Sequence, residues 1–449
     1  MPSLSATSLL STTTTVTFAD NAAAQQNFAA GNYKQALVEY NKLIASNPVA
    51  TNYLGLAMTY KKLNHTIHAI NALQEAMRID PQNIEAQAML VQTYMGMHNF
   101  AAAKAIVEPL YETHKDNVNI AALYMNYLIG VGDYKTGRTL LDFLLENSSH
   151  AGILNNAGLI EIELGNMTKA IEYFRRGFRT IIANPLPKAA PKLQDFMDPE
   201  TGKKGLLAIK RTLDELGVPF LLVAGTILGI YRDGDLLPHD KDVDLGLPWG
   251  IPRAELIHTV CKYNFACNYT EEDINGEKGQ WNISIVHIPT GTTIDFFFLK
   301  PEGDTIVGGI HKNGKTLYTK TTNTGRMQLD YAGTTFWTFG KLDSYLGELY
   351  GAGWRTPQAN YNTLILSETV DDPDGVGISL CYNHCLGALC EAYYKKGHGY
   401  AMQLLSVHDD PLLLEVKEYL EKNLNEEWYP PIPPRQKRSN NKDLFGIQD

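Results

Sequence analysis

The chain has 449 residues, 44% hydrophobic and 20% charged, a soluble composition long enough for two or three domains. With 49 acidic against 39 basic residues, its formal charge of -10 excludes a nucleic-acid-coating surface, though not a small phosphorylated substrate partnered by a metal. No apolar run approaches the roughly 18 to 20 residues of a membrane span. The five cysteines read as reduced thiols of a cytoplasmic protein, peripheral to a membrane only through partners.

Residues 1–20 are Ser/Thr-rich without a basic start and read as a disordered leader. Residues 21–184 repeat. Turn positions Gly31, Asn64, His98, Gly132 and Gly165 are spaced by 33, 34, 34 and 33. Five residues after each stands a small residue: Ala36, Ala69, Ala103, Gly137, Ala170. Four further on stands a large apolar one: Tyr40, Leu73, Val107, Leu141, Phe174. On a helix these two share a face, the small one admitting a neighbour and the large one filling its groove. The pattern resembles the tetratricopeptide repeat, a helix–turn–helix unit of about 34 residues, over five units. It is weaker in the first helix, where the family's small position reads Ala24, Ala57, Val91, Met125, Gly158. Such units stack into an α-solenoid with a concave groove. That groove reads as a docking surface for a peptide, a protein partner or the polymer being modified. Self-association or a rigid spacer is the plainer alternative.

Pro185, Pro187, Pro191 and Pro199 make 185–200 a stiff linker to a second domain at 201–425. There, Lys203 to Leu216 reads as a helix stopped by Gly217. Phe220 to Ala224 reads as a buried strand, followed by a Gly225-Thr226 turn and a short helix from Ile227 to Tyr231. An acidic strand then spans Asp240 to Leu247. Asp240, Asp242 and Asp244 alternate, so an extended strand puts them on one face. Three carboxylates on one face repel unless a cation sits among them, which points to metal-assisted phosphate chemistry. Trp281 to Ile288 and Thr292 to Leu299 read as a hairpin. Asp295, inside TTIDFFFL, is costly to bury without a partner, and the same cation would serve.

AGTILGIYRDGDLLPHDKDVDLGL, the strand aspartate Asp295, and YLGELYGAGWRTP (Tyr345 to Pro357) together resemble the LicD and fukutin families of the nucleotidyltransferase superfamily. The shared pattern is a Gly-Ser/Thr-Leu-Leu-Gly run, an Arg, and Pro-Trp-Asp-x-Asp-hydrophobic-Asp, over roughly residues 200 to 360. The resemblance implies an α/β nucleotidyltransferase-like domain with a mixed β-sheet. It also implies a phosphotransferase dependent on Mg²⁺ or Mn²⁺. Phosphocholine, ribitol phosphate or a similar phosphoalcohol would pass from a CDP-linked donor to a hydroxyl of a glycan or surface polysaccharide, releasing CMP. Asp242, Asp244 and Asp295 would hold the metal, with Asp295 or Asp240 as base. Gly225 would let backbone N–H groups approach a phosphate, with the Thr226 hydroxyl and Arg232 as further contacts. His239, where the family has Trp, and Lys241, between the acids, depart from the pattern. A nucleotidyltransferase moving NMP from an NTP, and a non-catalytic repeat scaffold, are the alternatives.

Residues 303–340, rich in Gly, Thr and Lys, read as a loop or hairpin over the site. Asp343 to Tyr350 reads as a short helix. Ile378 to Lys396 reads as one amphipathic helix whose Cys381 and Cys385 pack in the core, since their spacing with His384 fits no standard zinc site. Glu415 to Leu424 reads as another helix, and 426–449 as a Pro-rich, then basic, flexible tail.

Overall fold

The computed structural model describes residues 21–185 and 197–423, with breaks at 64, 98, 239, 268, 270, 313–314, 358–360 and 373–374. The leader, most of the proline-rich stretch, the tail, and Asn64, His98 and His239 lie outside the described residues. The chain divides into two compact units, residues 1–160 and 161–449.

The first unit is built of helix pairs: α1 (Ala22–Ala29) with α2 (Tyr33–Ser46), α3 (Ala50–Lys62) with α4 (Thr66–Ile79), and α5 (Ile84–Gly96) with α6 (Phe100–Thr113). The fourth pair is α7 (Val118–Val131) with α8 (Tyr134–Thr139) and α9 (Leu141–Asn147), a second helix broken at Leu140. The first helix of the fifth, α10 (Ala151–Glu163), crosses the division between the units. The repeat's small and large positions are buried throughout, Ala36, Ala69, Ala103, Leu73 and Val107 completely. Gly31, Gly132 and Gly165 turn the chain at φ of +78°, +80° and +82°, backbone that glycine adopts without strain. Asn83, Asn99 and Asp133 cap the helices that follow, accepting amides three residues on at 2.9, 3.1 and 3.1 Å.

The second unit opens with α11 (Met167–Ala183) and α12 (Pro199–Glu215). Asp198 caps α12 by accepting the Thr201 amide at 2.9 Å, and Pro199 fills the first-turn position where its missing N–H costs nothing. Then come β1 (Leu221–Leu222), α13 (Ala224–Asp233), β2 (Asp242–Pro248), α14 (Arg253–Val260), β3 (Phe265–Cys267), α15 (Glu271–Asn275) and α16 (Glu277–Trp281). Strands β4 (Asn282–His287), β5 (Thr292–Glu302), β6 (Thr305–Lys312), β7 (Lys315–Thr322), β8 (Arg326–Tyr331) and β9 (Thr334–Phe339) follow. The unit ends with α17 (Leu342–Tyr350), α18 (Thr363–Leu366), β10 (Val370–Asp371), α19 (Val376–Cys390), α20 (Tyr394–Val407) and α21 (Pro411–Asn423).

The mixed sheet runs β1-β2-β5-β6-β7-β10, with β4 on β5 and β3 on β4; β8 and β9 form a separate hairpin. Only the β2–β5 pair is parallel among the described strands, the other neighbours being antiparallel. Val243, Leu245, Leu247, Ile294, Phe296 and Phe298 are buried in one core with Leu206, Ile209 and Leu213 of α12. Strand alternation turns Asp242 and Asp244 the other way.

Three expectations are revised. Residues 303–340 are two hairpins, one of which extends the sheet. The helix expected over Ile378 to Lys396 is two, broken at Ala392, whose φ is +59°. Its apolar periodicity runs on through the break, which is why the pattern hides it. The fold-back aims the Cys381 and Cys385 sulfurs at the Tyr400 and Gly397 carbonyls, 3.8 and 3.4 Å away, as core thiols. The division between the units precedes the proline-rich stretch because α11, the last repeat helix, packs on α19 and α21. Gly177 lies so close to Leu386 that any Cβ would collide. Tyr382 donates to Asp410 at 2.6 Å, and Arg175 meets the same carboxylate at 3.3 Å. All five cysteines are free. No helix among the described residues is long and apolar enough to cross a membrane.

Tyr382→Phe removes the hydroxyl donor from Asp410, a carboxylate only 2% exposed. It should destabilise the second unit by about 1–3 kcal/mol. Urea unfolding of the full chain tests this, and an unchanged midpoint would show the bond to be dispensable.

Candidate metal centre

The centre forms where the chain enters β2. The Met197 amide donates to the Asp240 carbonyl at 3.0 Å, and the Asp240 amide to the Leu237 carbonyl at 3.2 Å. These bonds hold Asp240 just ahead of the strand. Carboxylate oxygens of Asp240, Asp242 and Asp244 then all lie within 4.8 Å of one another. Oxygens bound at about 2.0–2.6 Å around a hard cation are spaced in just this range, so the trio fits a divalent ion.

Asp244 is held by a helix N-terminus. Its Oδ2 accepts the Gly225 amide at 2.9 Å and the Thr226 amide at 3.3 Å. In return the Asp244 amide donates to Thr226 Oγ1 at 2.7 Å. The preceding amide, of Ala224, donates to the Tyr345 hydroxyl at 3.1 Å. The first three amides of α13, which no helical carbonyl can accept, are thus all taken by side chains. A carboxylate there gains about 0.3–2 kcal/mol from the helix dipole. Gly225 is required for the approach, because a Cβ at 225 would collide with Asp240 Oδ2 and crowd Asp244 Oδ2.

The charges are concentrated. Burial first, then repulsion from Asp242, Asp240 and Asp295, pushes the Asp244 carboxyl well above the usual carboxylate range. Burial also raises Asp240, and Asp295 adds to it, while hydrogen bonds with Asp242 and from the Lys241 amide pull the other way. Burial first raises the Tyr350 hydroxyl, and the charges of Asp244 and Asp240 add to it.

Each residue singled out in the sequence can now be placed. Asp242 and Asp244 join Asp240 in the trio. Asp295 stands beside it, opposite Asp244 in the parallel register of β2 and β5, and its charge reaches both Asp240 and Asp244. The trio thus differs from the set Asp242, Asp244 and Asp295, because the turn held by Met197 and Leu237 brings Asp240 in. Gly225 and Thr226 lie in the first turn of α13 and direct their amides to Asp244 instead of standing open to a phosphate. Thr226, 1% exposed, ties helix to strand through its hydroxyl. Arg232 points Nε and Nη2 at Asp233 and donates from Nη1 to the Trp354 carbonyl at 3.2 Å, bracing the loop after α17. Lys241 is exposed.

Sequence reasoning missed two side chains near the acids, Tyr345 and Tyr350, and one near Lys241, Lys396. Tyr345 and Tyr350 lie on α17, in the segment whose resemblance was noted without a role. Lys396 comes from α20; burial, and then the nearby charge of Lys241, lowers its pKa. No local pattern marks any of them, because each comes from a remote part of the chain.

Residues 217–317 match the family model described as LicD/FKTN/FKRP, nucleotidyltransferase domain. Tetratricopeptide repeat models match residues 68–126, and 50–83 with 151–179. Ribitol-5-phosphate transferase FKTN of Homo sapiens is 48% identical over 48 residues, 11% of this chain and 10% of that protein. The Mus musculus protein of the same name is 42% identical over 64 residues, 12% and 14% of the two chains. These matches therefore span only a small part of the curated relatives' length. Among solved structures, MamA is 16% identical, covering 35% of this chain and 92% of its own, at a TM-score of 0.32. YrrB, titled a TPR protein with an unusual peptide-binding site, is 19% identical, covering 35% and 81%, at 0.31.

Two outcomes follow from the centre's geometry. Gly225→Ala should weaken Mn²⁺ affinity about tenfold or more, read by calorimetric titration; unchanged affinity would refute the close approach. The second concerns pH. Asp240 and Asp244 are raised above an unfolded aspartate's value of about 3.9. Above that value the metal-free folded chain therefore keeps protons that the unfolded chain has released. Stability must then fall as pH rises through the folded-state pKa and return on acidification. In EDTA, Asp244→Asn should flatten this slope in urea unfolding. Saturating Mn²⁺ should reverse its sign, since the ion requires ionised carboxylates. Equal slopes in wild type and variant would sink the assignment.

Proposed function

We propose that this chain, which carries a LicD/FKTN/FKRP-type domain behind tetratricopeptide repeats, is a divalent-cation-dependent phosphotransferase. It moves a phosphoalcohol from a CDP-linked donor to a hydroxyl of a glycan. The observation that carries this reading is the trio Asp240, Asp242 and Asp244, gathered at the start of α13 inside the matched stretch. In the reaction an acceptor oxygen attacks the phosphorus that bears the alcohol. The bond from that phosphorus to the CMP oxygen breaks, and the acceptor's proton passes to a carboxylate.

Asp240, Asp242 and Asp244 would hold Mg²⁺ or Mn²⁺, which when bound supplies Lewis-acid neutralisation of the pyrophosphate charge. The Gly225 and Thr226 amides keep Asp244 aimed into the centre in place of a mobile water shell. Asp295, outside the trio but beside it, would take the acceptor's proton. Lys241, whose charge reaches Asp240, would suit the donor's phosphates. The solenoid serves as a docking surface for a peptide, a partner or the acceptor polymer. The stacked rings of Tyr111 and Tyr124, 4.6 Å apart, and the Asn126–Asn156 pair offer it aromatic and amide contacts.

A second reading is a nucleotidyltransferase that moves NMP from an NTP, favoured by the description of the matched domain. It uses the same carboxylates. Incubation with CDP-choline, CDP-ribitol and CDP-glycerol separates the two: CMP release supports the first, and pyrophosphate release from an NTP the second. Asp242→Asn and Asp244→Asn should each lower turnover by about 100-fold or more, beyond what losing an outer partner of a metal ligand costs. Transfer that survives both substitutions would remove the carboxylates from the mechanism.

A further inference from the structure

Ala224 joins β1 to α13 at a φ of +46°, a left-handed conformation that an alanine adopts only when its surroundings hold it there. What holds it is remote in sequence. Its amide donates to the Tyr345 hydroxyl at 3.1 Å, across 121 residues. The position of that oxygen is set independently of Ala224. Tyr345 is 5% exposed, and its ring stacks on Phe339 with centroids 4.2 Å apart. The next two amides, of Gly225 and Thr226, are the ones that grip Asp244. If the Ala224 backbone relaxed to a negative φ, the Gly225 amide would swing off Asp244 Oδ2.

We propose that Tyr345 is a positioning residue: its hydroxyl pins the left-handed Ala224 peptide and so sets the Asp244 carboxylate among the metal ligands. The inference rests on the metal-holding part of the proposed function and not on the identity of donor or acceptor. Tyr345 touches no reacting group; it acts through Ala224 and the amides that follow it.

The experiment measures Mn²⁺ binding to the full chain by calorimetric titration, with a thermal melt of each variant in EDTA. Tyr345→Phe keeps the ring stack and removes one oxygen. It should weaken Mn²⁺ affinity about tenfold while leaving the protein folded. Ala224→Gly alone should bind as wild type, because glycine takes this φ without strain. In the double variant, Ala224→Gly should return most of the affinity lost to Tyr345→Phe, since the turn no longer needs the clamp. A purely structural role for Tyr345 would lower the melting temperature and leave affinity unchanged, which overturns the proposal. Weakened affinity that Ala224→Gly does not restore would overturn the route through Ala224. Loss of transfer from every CDP-linked donor, with this affinity pattern intact, would count against the proposed reaction alone.

Discussion

The grip of the α13 N-terminus on Asp244 is the constraint around which the second unit is arranged. A carboxylate packed against two others in a partly buried pocket would turn outward or hold a proton if nothing fixed it. Two backbone amides and a reciprocal bond to Thr226 keep it in place. The grip needs three elements at once. Strand β2 must present Asp244 on the face opposite Val243 and Leu245. Residue 225 must lack a Cβ, and α13 must start at Ala224 and not later. The left-handed backbone at Ala224 supplies that early start.

The centre concentrates carboxylates in a small space. Burial first, then the charges of Asp242, Asp240 and Asp295, raises Asp244, and burial with Asp295 raises Asp240. The helix dipole offsets a fraction of that repulsion. Lys241 and Lys396 stand near each other as like charges.

The repeats and the second unit were legible to different degrees. The repeat's small and large positions depend on contacts between helices adjacent in sequence, so one period carries the whole instruction. Five units could be phased from Ala36 to Phe174, and the glycine turns at 31, 132 and 165 fall where that phase puts them. Its weak point was the end of the array, because the helix that completes the last repeat packs on α19 and α21. In the second unit, the strand with Asp242 and Asp244 and the hairpin that holds Asp295 were readable from alternation. The break at Ala392 was not, since apolar spacing continues across it.

What the sequence determined by itself was the chemistry at hand and its local geometry. Alternate acids on an apolar strand share a face, and an acid in TTIDFFFL demands a partner. What only the tertiary structure decided was which groups meet. Asp240 enters the trio through a turn tied to Met197. The Gly225 and Thr226 amides turn to Asp244, Arg232 to Trp354, and Tyr345 to an amide 121 residues away. Periodicity encodes which way a side chain faces along its own element. A hydrogen bond between remote elements leaves no periodic trace, because it depends on where the whole core places two backbones.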